Sequence, residues 1–225
     1  LYSFVGLVRI CGLAGMAGTG FRMTSIDLPV LVRDLAEAIA AVDARGLSAS
    51  SSRKTGRTYK PGIGPFSENE AIRMAAEELK SNYGDQYKVL DLDVRYPDSR
   101  QKCDLTLGSG PDWAVEVKLA RIRRDNGTIE DAAVKKVLSP YPPDRSAVTD
   151  CLKLVNSSFS GRLEVVIYGF EDSEYSLDYL IDAFEVLAPL QVSLGPRHSA
   201  ATGALMHPVF AQGRVLGWEI WAKDA

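Results

Sequence analysis

The chain has 225 residues, of which 46% are hydrophobic and 24% are charged, and its formal net charge is −3 at pH 7. A chain of this size and composition can bury a core, which excludes global disorder and suits one domain of moderate size. The mildly negative charge excludes a molecule that attracts nucleic acid as a whole, so any such contact has to come from a local basic patch.

The first segment, residues 1–22, is apolar and rich in glycine apart from Arg9 and Arg22. Its uncharged part is shorter than the roughly 20 apolar residues that a membrane span needs, and no cationic leader precedes it. We therefore expect no contact with a membrane. Because Met23 opens ordinary globular sequence, we expect residues 1–22 to be an upstream extension outside the folded core.

Residues 23–60 are predicted to hold one helix and one linker. Between residues 27 and 45 the apolar side chains recur at helical spacing, which indicates an amphipathic helix that packs on the main domain or on a partner. Gly46 is expected to end this helix. Residues 48–60 are rich in serine, arginine and lysine without an apolar period, which predicts a basic surface linker.

The main domain is expected to span residues 61–225 and to begin with a second helix. Ser67 and Glu70 have the spacing of a capping box. Glu68 shares a helical stripe with Ile72, Ala75 and Leu79, so it is the acid on the buried side of this helix. A strand is predicted next, over residues 86–96.

Residues 102–119 are predicted to form a β-hairpin, with a Gly-Ser-Gly-Pro-Asp break between two apolar strands. Side chains two residues apart share one face of a strand, so Glu116 and Lys118 lie together, and the hairpin brings Asp104 beside Glu116. Two acids and a lysine at one end of a sheet can hold a hard divalent cation and orient a water. The alternative is an ion pair on an exposed sheet face, which has no function and contributes little stability.

An acid-bearing helix, a strand, and then Asp104 followed by Glu116-Val117-Lys118 resemble the PD-(D/E)XK nuclease superfamily. Cys103 stands where the name-giving proline would be, at a position that often varies in the superfamily. The resemblance covers residues 61–166. It implies a restriction-endonuclease-like α/β/α sandwich with a mixed central sheet, here with an added N-terminal helix, and it implies that a helix and another strand follow the hairpin.

The remaining sequence supplies alternating helices and strands, as expected of an α/β domain. The region around His198 and His207 is predicted to be a glycine-rich loop. The three cysteines are far apart and form no CxxC pair, which predicts a reduced, cytoplasmic protein. The predicted elements are helices over residues 128–138, 146–155 and 176–187, a buried parallel strand over residues 162–170, and a closing strand over residues 215–221.

The resemblance implies a chemistry for the hairpin. Asp104, Glu116 and the Val117 carbonyl would hold Mg²⁺, which Mn²⁺ is expected to replace, and Lys118 would position or deprotonate the attacking water. Glu68 would contact the metal through a water or orient Lys118. The candidate contacts to nucleic-acid phosphates are Arg121, Arg123, Arg124, Lys135, Lys136, Arg145 and Lys153.

Three functions remain open at this point. The leading prediction is a Mg²⁺-dependent endonuclease that hydrolyses phosphodiester bonds, with DNA as the expected substrate; cutting both strands from single sites would favour a homodimer. The second is a non-catalytic nucleic-acid or protein-binding module that retains the nuclease fold. The third is an interaction protein that dimerises through the helix at residues 27–45. Intact Asp104, Glu116 and Lys118 favour the enzyme, because a binding module does not need all three.

Overall fold

The computed structural model describes residues 26–49, 56, 58–110, 112–130 and 132–223. The predicted extension at residues 1–22 lies outside the described residues, and so does most of the basic linker. No helix in the described ranges is long and apolar enough to span a bilayer.

Five helices and seven strands make up the described part of the chain. The helices are α1 (Leu28–Ala44), α2 (Glu68–Tyr83), α3 (Ala132–Leu138), α4 (Ala147–Val155) and α5 (Asp178–Leu187). The strands are β1 (Leu90–Arg95), β2 (Lys102–Leu107), β3 (Trp113–Arg121), β4 (Arg162–Glu171), β5 (Ser193–Leu194), β6 (His198–Ala204) and β7 (Gln212–Trp221).

The strands form one open, mixed sheet that is mostly antiparallel. Its order is β1–β2–β3–β4–β7–β5, and β6 also pairs with β7. β3 and β4 run parallel to each other, whereas the other described strand pairs are antiparallel. α1 and α2 cover one face of the sheet, and α3, α4 and α5 cover the other, so both faces are buried. The predicted α/β class with a mixed sheet is confirmed.

α1 belongs to the same core as the sheet. The Asp27 side chain caps it by accepting a hydrogen bond from the Val30 N–H at 3.0 Å. Leu31, Leu35 and Ile39 are buried, and the helix packs on α2, β6 and β7. The sequence left open whether α1 packs on the main domain or on a partner, and the structure shows it packed on the main domain.

α2 begins as its sequence predicts. Ser67 and Glu70 form the capping box, and Ile72, Ala75 and Leu79 are buried. Because Glu68 opens this buried stripe, its side chain is carried towards the sheet, where it reaches the backbone of β3.

The clearest differences from the predicted elements are two that begin later than expected and one predicted loop that is a strand. The strand expected from residue 86 begins at Leu90, because Gly84, at a φ of 40°, turns the chain and Gly84–Gln86 forms a 3₁₀ turn. The helix expected from residue 128 begins at Ala132. The prediction of a loop at His198 was wrong, because His198 begins β6. The alanine-rich sequence of β6 lacks the apolar and polar alternation that marks a strand, and its pairing with β7 holds it extended.

The hairpin strands separate before they end, and this separation creates room for a site. β2 and β3 are paired from Leu107 opposite Trp113 to Leu105 opposite Val115. Beyond that point β3 continues beside β4, whereas β2 follows β1 up to the pair of Arg95 with Lys102. A gap therefore opens between β2 and β3 at Asp104.

Candidate active site

Six ionisable side chains meet at the gap between β2 and β3. Three come from the strands β2 and β3, one comes from α2 on one side of the sheet, and two come from α4 on the other side. The six are Glu68, Asp104, Glu116, Lys118, Asp150 and Lys153, and the following contacts link them.

Asp104 replaces the missing partner strand at the edge of β3. Its Oδ2 accepts a hydrogen bond from the Val117 N–H at 2.8 Å, which satisfies a backbone donor that β2 leaves unpaired. The N–H and C=O of one strand residue point to the same edge. The Val117 carbonyl therefore faces the gap that Asp104 occupies.

Glu68 satisfies the next donor along the same edge. Its Oε2 accepts a hydrogen bond from the Leu119 N–H at 2.6 Å. Burial raises the pKa of Glu68, while the ammonium of Lys118 and the hydrogen bond from Leu119 lower it, and the net direction is upward. Two carboxylates thus line the open edge of β3.

Glu116 is the most deeply buried acid of the cluster, with only 1% of its surface exposed. Its Oε1 accepts hydrogen bonds from the Tyr96 hydroxyl and, at 2.7 Å, from the Lys153 ammonium. Burial raises the pKa of Glu116 well above its usual range, and the charges of Asp104 and Asp150 raise it further. The surroundings of Glu116 therefore favour its neutral, protonated form.

Lys118 is held between two acids from opposite layers. Its Nζ lies 2.8 Å from Asp150 Oδ2 and 3.6 Å from Glu68 Oε1. Burial lowers the pKa of the Lys118 ammonium, but Asp150 and Glu68 outweigh it, so that the net shift is upward. Lys118 is a fixed positive charge in this arrangement.

Asp150 joins the two lysines. It is 4% exposed, and its carboxylate contacts Lys153 Nζ at 3.3 Å as well as Lys118. α4 is anchored at its start, because the N-cap side chain of Ser146 accepts from the Thr149 N–H at 3.2 Å and donates to the Ser139 carbonyl. Asp150 follows one residue later, so its carboxylate is placed by a capped helix rather than by a loop.

The charges of the cluster do not balance. Four carboxylates face two ammonium groups, which leaves an excess of two negative charges when all six groups are ionised. Buried like charges repel one another strongly at low dielectric constant. A divalent cation would compensate this excess.

A small cleft reaches two of the acids, Glu68 and Asp104, from solvent. Its volume of about 20 Å³ has room for roughly one water molecule, and it is lined by Glu68, Asn69, Ile72 and Arg73 of α2, by Leu92 and Asp93 of β1, and by Asp104 and Val117. A water or a metal ion could therefore reach Asp104 and the Val117 backbone from solvent without unfolding any element.

The donor set suits Mg²⁺ rather than a softer metal. In the part of the chain that the structure describes, no group of three or more His, Cys, Asp or Glu side chains is arranged to hold a metal ion. The gap offers a smaller set, which consists of two carboxylates, Asp104 and Glu116, and the Val117 carbonyl. Mg²⁺ prefers oxygen and is commonly held by one or two carboxylates while it retains waters or binds substrate phosphate. These residues fit that pattern.

The sequence-predicted site residues come together, but the predicted phosphate contacts do not. Asp104, Glu116, Val117, Lys118 and Glu68 all lie at the gap. Lys153 also lies there, where its ammonium is engaged by Glu116 and Asp150.

The other six predicted phosphate contacts lie outside the cluster. Arg121 donates to the carbonyls of Gly64 at 2.9 Å and Phe66 at 3.4 Å, and so ties the chain before α2 to β3. Lys136 and Arg145 are exposed. Three pair with nearby acids: Arg123 with Asp172 and Glu174, Arg124 with Glu130, and Lys135 with Asp144.

Sequence reasoning missed Asp150 and Tyr96. Val148, Leu152 and Val155 recur at helical spacing on α4, whereas the buried positions of the helix include Cys151 and Leu154. Asp150 lies on this buried side. An acid among buried apolar positions of a helix, three residues before a lysine, is the signal that could have identified it.

Comparisons of the chain with family models, with curated proteins and with solved structures found no match.

Proposed function

We propose that this chain is a metal-dependent nuclease that hydrolyses phosphodiester bonds of nucleic acid, with DNA as the substrate. The observation that carries the proposal is the cluster of four carboxylates and two lysines beside a small cleft. With every group ionised the cluster would carry two excess negative charges, and the neighbouring acids raise the pKa of Glu116 as a result. Buried charges are usually paired or bind metals, so acids that outnumber the lysines suggest a site that binds a cation.

The order of the elements supports the restriction-endonuclease-like fold. The resemblance expects an acid-bearing helix, a strand, a hairpin, a helix and another strand. The chain presents α2, β1, the β2–β3 hairpin, α3 with α4, and β4 in that sequence. The acid of α2 and the Asp104 and Glu116-Val117-Lys118 positions also converge in space, as a common site requires.

Asp104, Glu116 and the Val117 carbonyl are the residues that would hold Mg²⁺. When bound, the ion would lower the pKa of a coordinated water and neutralise negative charge that develops on the phosphoryl oxygens. The carboxylates have to be ionised to do this, and Lys153 and Tyr96 favour the ionised form of Glu116 through their contacts with Oε1.

Lys118 is the residue proposed to orient the attacking water. Its ammonium is kept protonated by Asp150 and Glu68, so it acts as a hydrogen-bond donor and as a positive charge beside the scissile phosphate. Asp150 is the closer of its two acids and is therefore proposed as a positioning residue. Glu68 holds the β3 edge through the Leu119 N–H and limits how far the Lys118 side chain can move.

Asp150→Asn is expected to lower kcat about 10- to 100-fold, the usual range for a group that orients an active-site residue. The neutral amide keeps the shape of the side chain but weakens its hold on Lys118 and Lys153. Because Asp150 contacts lysines rather than substrate, KM for DNA should change less than about twofold. Steady-state cleavage of a labelled duplex measures both constants.

The matched control for this change is Asp182→Asn. Asp182 lies on α5 and pairs with Arg197 at 3.0 Å, outside the cluster. The control should leave kcat unchanged. Equal kcat values for Asp150→Asn and the wild type would show that Asp150 does not position Lys118.

The test of the proposed function is cleavage of supercoiled plasmid with Mg²⁺ or Mn²⁺, against EDTA. Wild type is compared with Asp104→Ala and Lys118→Ala, and with Lys135→Ala as an ion-paired lysine outside the site. We expect nicking or linearisation by the wild type and the control and none by the two site variants. Cleavage that survives both site changes would refute the assignment.

The second candidate, a binding module with the same fold, predicts a different outcome. The protein would then cleave neither DNA nor RNA, and calorimetry would detect no binding of Mg²⁺ or Mn²⁺. The imbalance of charge in the cluster favours the enzyme, because it gives the acids a reason to bind a cation.

A further inference from the structure

The cleft that leads to the acids has a basic residue of its own. Among the described residues that line it, Arg73 is the one cation, and it stands with Asn69 one helical turn apart on α2. Residues four apart on a helix present their side chains on the same face. Arg73 and Asn69 therefore form one polar wall of the cleft, beside Glu68.

Arg73 is weakly engaged within the protein. Its Nη2 is 3.4 Å from Asp93 Oδ2, and 60% of its side chain is exposed. Asp93 lies on β1, where it is held at a φ of 57°, and the ladder between β1 and β2 has pairs on either side of it. Residues other than glycine adopt this conformation uncommonly, although aspartate does so more readily than most, and such residues cluster at active sites.

The acids along the cleft repel an anionic substrate, so a cation that lines the cleft would favour its approach. A phosphodiester that approaches Asp104 passes Asp93 and Glu68. The predicted phosphate contacts at Arg121, Arg123 and Arg124 are not among the residues that line this cleft. A guanidinium offers two parallel donors to phosphate oxygens and is attracted to them at any physiological pH.

We propose that Arg73, assisted by the Asn69 amide, binds the phosphodiester backbone of the nucleic-acid substrate at the mouth of the cleft. This inference rests on the proposed nuclease function and assigns its substrate contact to α2 instead of to the cations between residues 121 and 153. The phosphate would exchange places with Asp93 as the partner of Arg73. Binding through phosphate is independent of base sequence.

The experiment measures fluorescence anisotropy of labelled oligonucleotides in EDTA, which prevents cleavage. The probes are a duplex DNA, its single strand and an RNA of the same sequence. Arg73→Ala should weaken binding of the best probe about tenfold. It should also reduce the slope of log affinity against log salt concentration by about 1, the loss expected for one phosphate contact. Arg73→Lys should keep the salt dependence and part of the affinity, because it keeps the charge but loses the paired donors.

The matched control is Arg33→Ala. Arg33 lies on α1, its side chain is 58% exposed, and it pairs with Asp34 at 2.8 Å, so it is an exposed, ion-paired arginine like Arg73. It should change affinity less than twofold. Equal affinities of the Arg73→Ala and Arg33→Ala proteins would overturn the inference.

Failure of this inference can be told apart from failure of the proposed function. If Arg73→Ala binds like the wild type while Asp104→Ala loses cleavage, Arg73 is not the substrate contact and the nuclease stands. If the wild type binds none of the probes in EDTA or Mg²⁺ and cleaves none, both proposals are wrong. Thermal unfolding of Arg73→Ala should match that of the wild type, since the side chain is exposed.

Discussion

Glu116→Gln is expected to reduce metal-dependent cleavage by about 10²–10³-fold or more and to remove the stabilisation that Mg²⁺ gives to the wild-type fold. The amide keeps the size of the side chain and can still accept hydrogen bonds from Tyr96 and Lys153. It loses the charge that would draw the cation beside Asp104. Activity and metal-linked stability should therefore disappear together.

Thermal unfolding in EDTA and in Mg²⁺ measures the second effect. A ligand at 100 times its dissociation constant stabilises the folded state by about 2.7 kcal/mol, which corresponds to a rise in Tm of roughly 5–10 °C for a protein of this size. The wild type should show this rise and Glu116→Gln should not. In EDTA the variant should be at least as stable as the wild type, because burial and the neighbouring acids oppose the charge of Glu116.

The control for this experiment is Glu130→Gln. Glu130 pairs with Arg124 outside the cluster, so its loss should leave both cleavage and the response to Mg²⁺ unchanged. If Mg²⁺ raised the Tm of Glu116→Gln as much as that of the wild type, Glu116 would not be a ligand.

The hairpin site could be predicted because its geometry is local. The period of two along a strand places Glu116 and Lys118 on one face, and the glycine-rich break brings Asp104 back to them. The structure confirms both steps through the β2–β3 register and the contacts of Asp104. The capping box identified the residue at which α2 begins. The start of the helix determines which residues face the sheet, and Glu68 is one of them.

The separation of β2 from β3 could not be predicted from the sequence. The pattern gave two strands of a hairpin, but where their pairing stops depends on contacts distant in the sequence. β2 stays paired with β1 as far as Arg95 opposite Lys102, while β3 stays paired with β4 on the edge opposite to β2. The gap decides which backbone groups Asp104 and Glu68 satisfy. It also lets groups from the two opposite helical layers meet.

Asp150 and Lys153 depended on the phase of a short helix. If the buried stripe of α4 is shifted by one residue, Asp150 changes from an exposed to a buried position. A nine-residue helix has few apolar residues from which to decide which face is buried. Lys153 was predicted as a phosphate contact, but the buried acids beside it engage its ammonium instead. The contact of Lys153 with Asp150 is local, but its pairing with Glu116 is long-range and leaves no local pattern.

The clearest stability prediction concerns Glu164, a buried acid that does not line the cleft. Glu164 lies on β4 with 0% of its surface exposed, and neither carboxylate oxygen has a hydrogen-bond partner among the described residues. Burial raises the pKa of Glu164 to about 9, and the charges of Glu219 and Asp27 add to the shift, although Arg162 opposes it. The folded protein therefore keeps this carboxyl protonated at neutral pH.

The direction of the pH dependence follows from the raised pKa. Below pH 4.5 the side chain is protonated in both the folded and the unfolded chain, so the folded state carries no penalty. Between about 4.5 and 9 the unfolded chain releases the proton and the folded chain retains it, which lowers the free energy of unfolding by about 1.4 kcal/mol per pH unit at most. Stability contributed by protonated Glu164 is thus lost as the pH rises through this window.

Glu164→Gln should remove this loss, since an amide is neutral at every pH. Its Tm should exceed that of the wild type by several degrees at pH 8 and by much less at pH 5, as measured by calorimetry across this range. Glu77→Gln, at an exposed position on α2, should leave the wild-type pH profile intact. Parallel plots of Tm against pH for Glu164→Gln and the wild type would contradict this prediction. They would mean that Glu164 ionises in the folded protein near its ordinary pKa.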